Sequence, residues 1–225
     1  MTLRKAVQQG DIDEVRSILT NSTDASVMVN NVSDDVWEIS LLHNAVNNHD
    51  IEMATLLLDH GACVNRMDKF GRSPLWHASC GYSKIDMVKL LLDRGAWVTT
   101  PTDFEMGRTP LHQAVWNNNI DIATLLLDRH PSVNDTSDRA GLTPLHLAIE
   151  RGHIDMAKLL LERGANPYRR GGFWSDSPLL LVQRKGSADM KELFKVYIKD
   201  EKSSGPAIVI GPEQGIKSLG SDPCV

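Results

Sequence analysis

Long apolar runs are missing from this chain, and so is an apolar stretch at its N-terminus. Residues 179–182 are all apolar, but such a run is far too short to span a bilayer. The opening residues, MTLRKAVQQG, lack the hydrophobic segment of a secretion signal. The three cysteines, Cys63, Cys80 and Cys224, do not have the spacing of a metal site. We therefore expect a reducing compartment, the cytoplasm or the nucleus, and no membrane partner.

A surplus of positive charge is also missing. The chain has 24 lysines and arginines against 29 aspartates and glutamates, so its formal net charge is −5. Its basic side chains are scattered among acidic ones, whereas general affinity for nucleic acid needs a basic patch or stripe. The composition therefore predicts no nucleic-acid partner.

Catalytic motifs are absent as well. No glycine-rich phosphate loop follows a strand pattern, and neither GxSxG nor HExxH occurs. We therefore predict that the protein is not an enzyme and that it has no catalytic residue, no cofactor and no metal.

A regular helical pattern is present in residues 138–168, DRAGLTPLHLAIERGHIDMAKLLLERGANPY. Thr143 can cap a helix, and Pro144 follows at a first helical position, where a missing N–H does no harm. Gly152 interrupts the apolar periodicity, and Gly164 ends a second helical stretch. The segment predicts two antiparallel helices and a turn, a unit too small to bury its own apolar face.

Copies of this unit recur along the chain. They align on a small residue of the first helix, at spacings of 33 to 39 residues: Ala6, Ala45, Ala78, Ala114, Ala148 and Val182. This period, with the segments TPLHQA and TPLHLA, resembles the ankyrin repeat. The resemblance implies an all-α solenoid of about six helix–turn–helix repeats with β-hairpin fingers. The repeats would lie near residues 1–35, 36–67, 68–102, 103–136, 137–170 and 171–198. They would form one domain, followed by a disordered tail at 199–225, where Gly, Pro and Ser interrupt every period.

Several copies depart from the pattern. Residues 20–36 are longer than a standard connection and lack helical periodicity, so we expect an extended first finger or a mobile loop. His49 replaces the glycine between the two helices of the second repeat. Trp76 replaces the family histidine of the third repeat, so we do not expect His77 to take over that residue's role. In the family this histidine joins adjacent repeats by hydrogen bonds, and the resemblance assigns that role to His43, His112 and His146.

The resemblance also implies a binding face, formed on the concave side by the finger tips and the first helices. Four of the five tip positions carry large apolar residues, although tips usually carry polar ones. Trp116 adds an aromatic residue between polar neighbours on a first helix, and such a residue often dominates an interface. The alternative is that the tip aromatics pack on each other or on the enlarged first loop. The candidate partner-binding residues are Trp37, Phe70, Arg72, Met106, Arg108, Trp116, Asn117, Glu150, Arg151 and Trp174.

The function that follows from the resemblance is a monomeric, non-catalytic interaction module or adaptor that binds another protein. Two alternatives stay open: the substrate-recognition part of a cullin-type ubiquitin ligase, and an inhibitor of a transcription factor resembling the NF-κB inhibitors. Residues 199–225 lack the leucine periodicity of a helical box that docks a ligase scaffold. They also lack the acidic tail of those inhibitors. Separately, Asn65 and Asn134 resemble loop asparagines that an asparaginyl hydroxylase modifies, although a hydrogen-bonded turn is the simpler interpretation.

Overall fold

The described part of the chain folds into thirteen helices. The structure is a computed structural model and describes residues 2–31, 37–81, 84–99, 107–130, 132–136, 141–171 and 176–204, with side chains as far as residue 198. The first helices of the six pairs are α1 (Leu3–Gln9), α4 (Leu41–Asn47), α6 (Pro74–Ala78), α8 (Pro110–Trp116), α10 (Pro144–Arg151) and α12 (Pro178–Lys185). The second helices are α2 (Ile12–Thr20), α5 (Ile51–Asp59), α7 (Ile85–Asp93), α9 (Ile120–Arg129), α11 (Ile154–Glu162) and α13 (Ala188–Ser204). One further helix, α3 (Ala25–Val29), lies between the first two pairs.

The first helices begin where the sequence supplies caps. In α4, α6, α8 and α12, a Ser or Thr side chain accepts a hydrogen bond from the backbone N–H three residues later. Proline occupies the start of α6, α8, α10 and α12. Helices of five to eight residues are not stable alone in water. Capping therefore sets where they start, and packing against neighbours keeps them folded.

The helices stack in two layers. The first helices contact one another in chain order, from α1 through α4, α6, α8 and α10 to α12. The second helices do the same, from α2 through α5, α7, α9 and α11 to α13. One continuous apolar core lies between the layers, and each of the second to fifth repeats adds a fully buried leucine to it: Leu57, Leu91, Leu126 and Leu160. The predicted all-helical repeat solenoid is thus confirmed. No helix of the described residues is both long enough and apolar enough to cross a membrane.

The structure differs from the sequence prediction at both ends of the array. Residues 25–29 form the helix α3, where a loop without helical periodicity was expected; five residues are too few to show a period. Val29 is buried in the core, so this segment packs against the array. At the other end, α13 continues to Ser204, beyond the predicted domain boundary at 198. The predicted disordered tail after Ser204 lies outside the described residues.

The fingers are the other point of difference. The finger between α5 and α6 closes in a tight turn instead of paired strands: Asp68 N–H donates to the carbonyl of Arg72 at 3.0 Å, and Gly71 N–H donates to that of Asp68 at 2.9 Å. The other fingers lie partly outside the described residues, so β-hairpin fingers remain a prediction there.

Buried histidines join neighbouring repeats, as the resemblance implies. Each Nδ1 atom lies 2.7–2.8 Å from the hydroxyl oxygen of its own helix cap. Each Nε2 atom donates to a finger carbonyl of the next repeat at 3.0–3.1 Å. The pairs are His43 with Arg72, His112 with Leu142, and His146 with Asp176. Trp76 has a single ring nitrogen that only donates, so it cannot bond in both directions, and the histidine bridge is missing at the junction between the third and fourth repeats.

Two further sets of contacts repeat along the array. Three asparagine side chains that follow second helices make two bonds each to the next repeat, at 2.7–3.3 Å. The amide nitrogen donates to a carbonyl, and the amide oxygen accepts a backbone N–H, in Asn30, Asn65 and Asn134. Asn65 and Asn134 are thus hydrogen-bonded, but to the next repeat instead of within their own turn, and Asn30 makes the same contacts from the first repeat. Arginines at the ends of second helices pair with aspartates of the preceding repeat at 2.7–2.9 Å: Arg94 with Asp59, Arg129 with Asp93, and Arg163 with Asp128.

In the first, second, fourth and fifth helix pairs, a left-handed residue forms the turn between the two helices. Gly10 and Gly152 adopt a φ of 71° there. His49 and Asn118 take the same position with φ of 60° and 53°. The left-handed region costs a residue with a Cβ atom about 1–2 kcal/mol, and asparagine tolerates it better than most residues. His49 is therefore a strained position in an otherwise regular repeat.

We predict that His49→Gly raises the free energy of unfolding by about 1 kcal/mol, because glycine removes the Cβ strain at this turn. Asn118→Gly is the matched control, with an expected gain of well under 1 kcal/mol. Urea denaturation of the two variants beside the parent protein measures both effects. A loss of stability in the His49 variant would show that the turn is not strained.

Candidate functional site

The finger between α5 and α6 is organised by the buried carboxylate of Asp68. One oxygen accepts the backbone N–H groups of Phe70 and Arg72 at 2.9 and 3.0 Å. The other accepts Arg72 Nε at 2.8 Å and His77 Nε2 at 3.0 Å. Burial raises the pKa of Asp68, but the hydrogen bonds from His77 and Arg72 outweigh it and hold this pKa well below its usual range. Asp68 therefore stays ionised and fixes the fingertip.

The aromatic tip of this finger, Phe70, contacts the tip residue of the preceding finger, Trp37. The rings of Trp37 and Phe70 lie 5.3 Å apart between centroids, and Lys69 N–H donates to the Trp37 carbonyl at 3.1 Å. The Arg72 guanidinium lies 4.6 Å from the Phe70 centroid and 5.2 Å from that of Trp76. The two tips pack on each other, yet 51% of Trp37 and 42% of Phe70 remain exposed. The two tips therefore contact each other and still leave an apolar surface exposed to solvent.

A second cluster surrounds Trp116 at the end of α8. The ring is half-buried and packs against the core. The guanidinium carbon of Arg108 lies 4.0 Å from the ring centroid, and that of Arg151, from the next repeat, lies 3.1 Å away. Trp116 is thus not the isolated surface residue that its sequence neighbours suggested, because two cations contact its ring.

These two clusters use equivalent parts of successive repeats, the finger and the first helix. We call them together the aromatic–arginine row. It consists of Trp37, Phe70, Arg72, Trp76, Arg108, Trp116 and Arg151.

The other candidate residues divide into three groups. Asn117 donates its amide to the Cys80 carbonyl at 3.1 Å, so it links the third and fourth repeats. Glu150 is exposed on α10, next to Arg151. Met106 and Trp174 lie outside the described residues, and their place in a binding face remains a prediction.

Sequence reasoning missed the residues that hold the first cluster in place. Asp68 and His77 were not selected as candidates, and Trp76 was noted only as the residue that replaces the family histidine. His77 Nδ1 lies 3.1 Å from Asn47 Oδ1, so His77 connects a finger to the preceding first helix. The expectation that it does not act as the family histidine is confirmed. An aspartate two residues before a fingertip is typical of a side-chain-to-backbone turn, and that pattern could have identified Asp68.

Cys80 is a free thiol among the described residues. Burial raises the pKa of the Cys80 thiol to about 11, so it stays protonated near neutral pH. No cluster of three or more His, Cys, Asp or Glu side chains in the described ranges is arranged to hold a metal ion.

Comparison with known proteins identifies the repeats. Residues 3–102 and 97–171 match the family model described as ankyrin repeats (3 copies). The crystal structure of the human ASB11 ankyrin repeat domain superposes with a TM-score of 0.70 and 28% identity, covering 88% of this chain and 83% of that one. The 2-5A-dependent ribonuclease of Mus musculus is 40% identical over 73 residues. That match covers 32% of this chain and 9% of the ribonuclease, so the similarity concerns a small part of the enzyme.

The buried histidines make stability depend on pH. Burial in the protein, reinforced by the neighbouring His77, lowers the pKa of His43 from 6.5 to about 4, against the opposing influence of the hydrogen bond to the Arg72 carbonyl and of Asp68. Because the folded pKa is lower than the unfolded one, the stabilisation is complete above pH 6.5 and is lost as the pH falls through about 4.

We predict that the unfolding free energy of the parent protein falls by about 2–3 kcal/mol between pH 7 and pH 4 on account of His43. His43→Gln should be less stable at pH 7 and should show a shallower pH dependence. Urea denaturation at a series of pH values compares the slopes. Equal slopes for the two proteins would exclude His43 as the titrating group.

Proposed function

Because this chain belongs to the ankyrin-repeat family, we propose that it is a non-catalytic adaptor that binds another protein along the aromatic–arginine row. Arrays of this kind are general protein–protein interaction modules. The observation that carries the proposal is the exposure of Trp37 and Phe70 at the fingertips. Trp116, whose ring is contacted by Arg108 and Arg151, adds a further aromatic residue to the row. We further propose that the protein acts as a monomer in the cytoplasm or nucleus.

The energetics of the row support a binding role. Apolar rings that remain half in water gain little from folding, since only buried area contributes to stability. Aromatic and arginine side chains are the residue types that contribute most to interfaces when a partner covers them. Asp68 and the stacked arginines hold these side chains in one arrangement, which lowers the entropy that binding has to remove.

Affinity purification separates the pathways in which such an adaptor could act. Co-purification of cullin and its adaptor subunits favours substrate recognition for a ubiquitin ligase. Co-purification of a Rel-type transcription factor favours an inhibitor. A general adaptor co-purifies with neither the cullin subunits nor a Rel-type factor.

We predict that the double substitution Phe70→Ala and Trp116→Ala abolishes capture of the native partners. Truncating an interface anchor costs about 2 kcal/mol or more, which is roughly a 30-fold loss of affinity for each residue. The melting temperature should change little, because Phe70 is exposed and Trp116 only half-buried. Affinity purification from the native cell, with quantitative mass spectrometry, measures the loss.

Tyr168→Ala is the matched control, since Tyr168 is an exposed aromatic residue, 50% accessible, outside the row. Its partner set should equal that of the parent protein. A folded Phe70/Trp116 double variant that still captures the same partners would contradict the proposed binding face.

A further inference from the structure

The arginines around Trp116 differ from the other structural arginines of the array. Arg94, Arg129 and Arg163 each pair with an aspartate of the preceding repeat. Arg72 pairs with Asp68 at 2.7 Å. Within the described ranges, by contrast, neither Arg108 nor Arg151 forms an ion pair, and both contact the ring of Trp116 instead.

Stacking on an aromatic ring prepares a guanidinium for an anion. The planar group uses its face for the ring, so the N–H donors along its edge stay available. Such an edge matches a carboxylate or phosphate through two parallel hydrogen bonds. The ring also restricts the long arginine side chain, and this reduces the entropy lost when an anion binds.

The acidic residue nearest in sequence does not neutralise the cluster. Glu150 directly precedes Arg151 on α10, and adjacent residues on a helix do not face each other. Glu150 is exposed and forms no ion pair with either arginine in the described structure. Within the part of the chain that the structure describes, this leaves a local cationic site on a surface proposed for binding, in a protein whose net charge is −5.

We propose that Arg108, Trp116 and Arg151 recognise an extended acidic segment of the partner protein. Two of its anionic side chains, separated by one residue, pair with the two arginines. Side chains at positions i and i+2 of an extended chain point to the same side, about 7 Å apart. Both guanidinium carbons lie within 4.0 Å of one ring centroid, so a pair at this spacing can reach both. This inference rests on the proposed function and specifies the chemistry of its partner.

The two ends of the row fit different parts of such a segment. Arg72 is already neutralised by Asp68, and its neighbours are the exposed rings of Trp37 and Phe70. That end offers apolar contact area. The acidic pair belongs at Trp116, and apolar side chains of the same segment belong at Phe70.

A peptide-display selection on the full chain tests the inference. Randomised peptides are selected on the parent protein, and the enriched peptides are resynthesised with a fluorescent label. Binding is measured by anisotropy to the parent, to Arg108→Gln, to Arg151→Gln and to the double variant. Arg129→Gln is the matched control, because it removes an arginine of the paired set outside the row.

The expected result is an enrichment of peptides with two Asp or Glu residues separated by one position. Affinity should fall about tenfold for each arginine removed, as expected for losing a charge-assisted pair, and should weaken as salt is raised. Arg129→Gln should bind like the parent. Exchanging the two acidic residues for Gln should abolish the difference between the parent and the double variant.

The remaining outcomes separate the two proposals. Enriched peptides that lack acidic pairs but depend on Phe70 and Trp116 would overturn the acidic segment and leave the binding face intact. Peptides indifferent to every residue of the row would overturn both. Equal binding of an oligonucleotide of matched charge would overturn the assignment to an acidic peptide.

Discussion

The array depends on a buried histidine that bonds in two directions. Its Nδ1 lies against the hydroxyl that caps its own helix, and its Nε2 donates to a finger carbonyl of the next repeat. A single side chain therefore starts a helix of only a few residues and fixes the finger that follows. The geometry requires a neutral imidazole, since one ring nitrogen must donate while the other accepts. Burial supplies that condition for His43 and His146 by lowering their pKa.

The junction between the third and fourth repeats is held together without this bridge. Trp76 occupies the histidine position, and its ring turns to Arg72 instead. Polar contacts at the other end of the first helix remain at this junction: Asn117 donates to the carbonyl of Cys80 at 3.1 Å, and Asn119 to that of Gly81 at 3.1 Å. Aromatic and cationic side chains lie at this junction, namely Trp76, Arg108 and Trp116. In the proposed account, the regular repeats maintain the solenoid, and the irregular junction contributes to partner recognition.

How much the sequence could reveal follows from the range of the interactions. Helix pairs and caps were predictable, because each recurs at a fixed period. The histidine bridges of His43, His112 and His146 were expected from the resemblance to the ankyrin repeat. The α3 helix was not, because its five residues show no period and its stability comes from packing of Val29. Nor was the relation of Arg151 to Trp116, since a contact between consecutive repeats depends on how the two units stack. The exposure of Phe70 was anticipated, but its anchoring through Asp68 and His77 depends on the shape of the fingertip turn.

Native-state hydrogen exchange measures directly whether the regular repeats are more stable than the irregular ones. Local opening is governed by the contacts that hold a segment to its neighbours. If the histidine bridge is the main bond between repeats, amides of α6 and α8 should exchange faster than those of α10, which has bridges on both sides through His112 and His146. Slower exchange in α6 and α8 than in α10 would contradict the account.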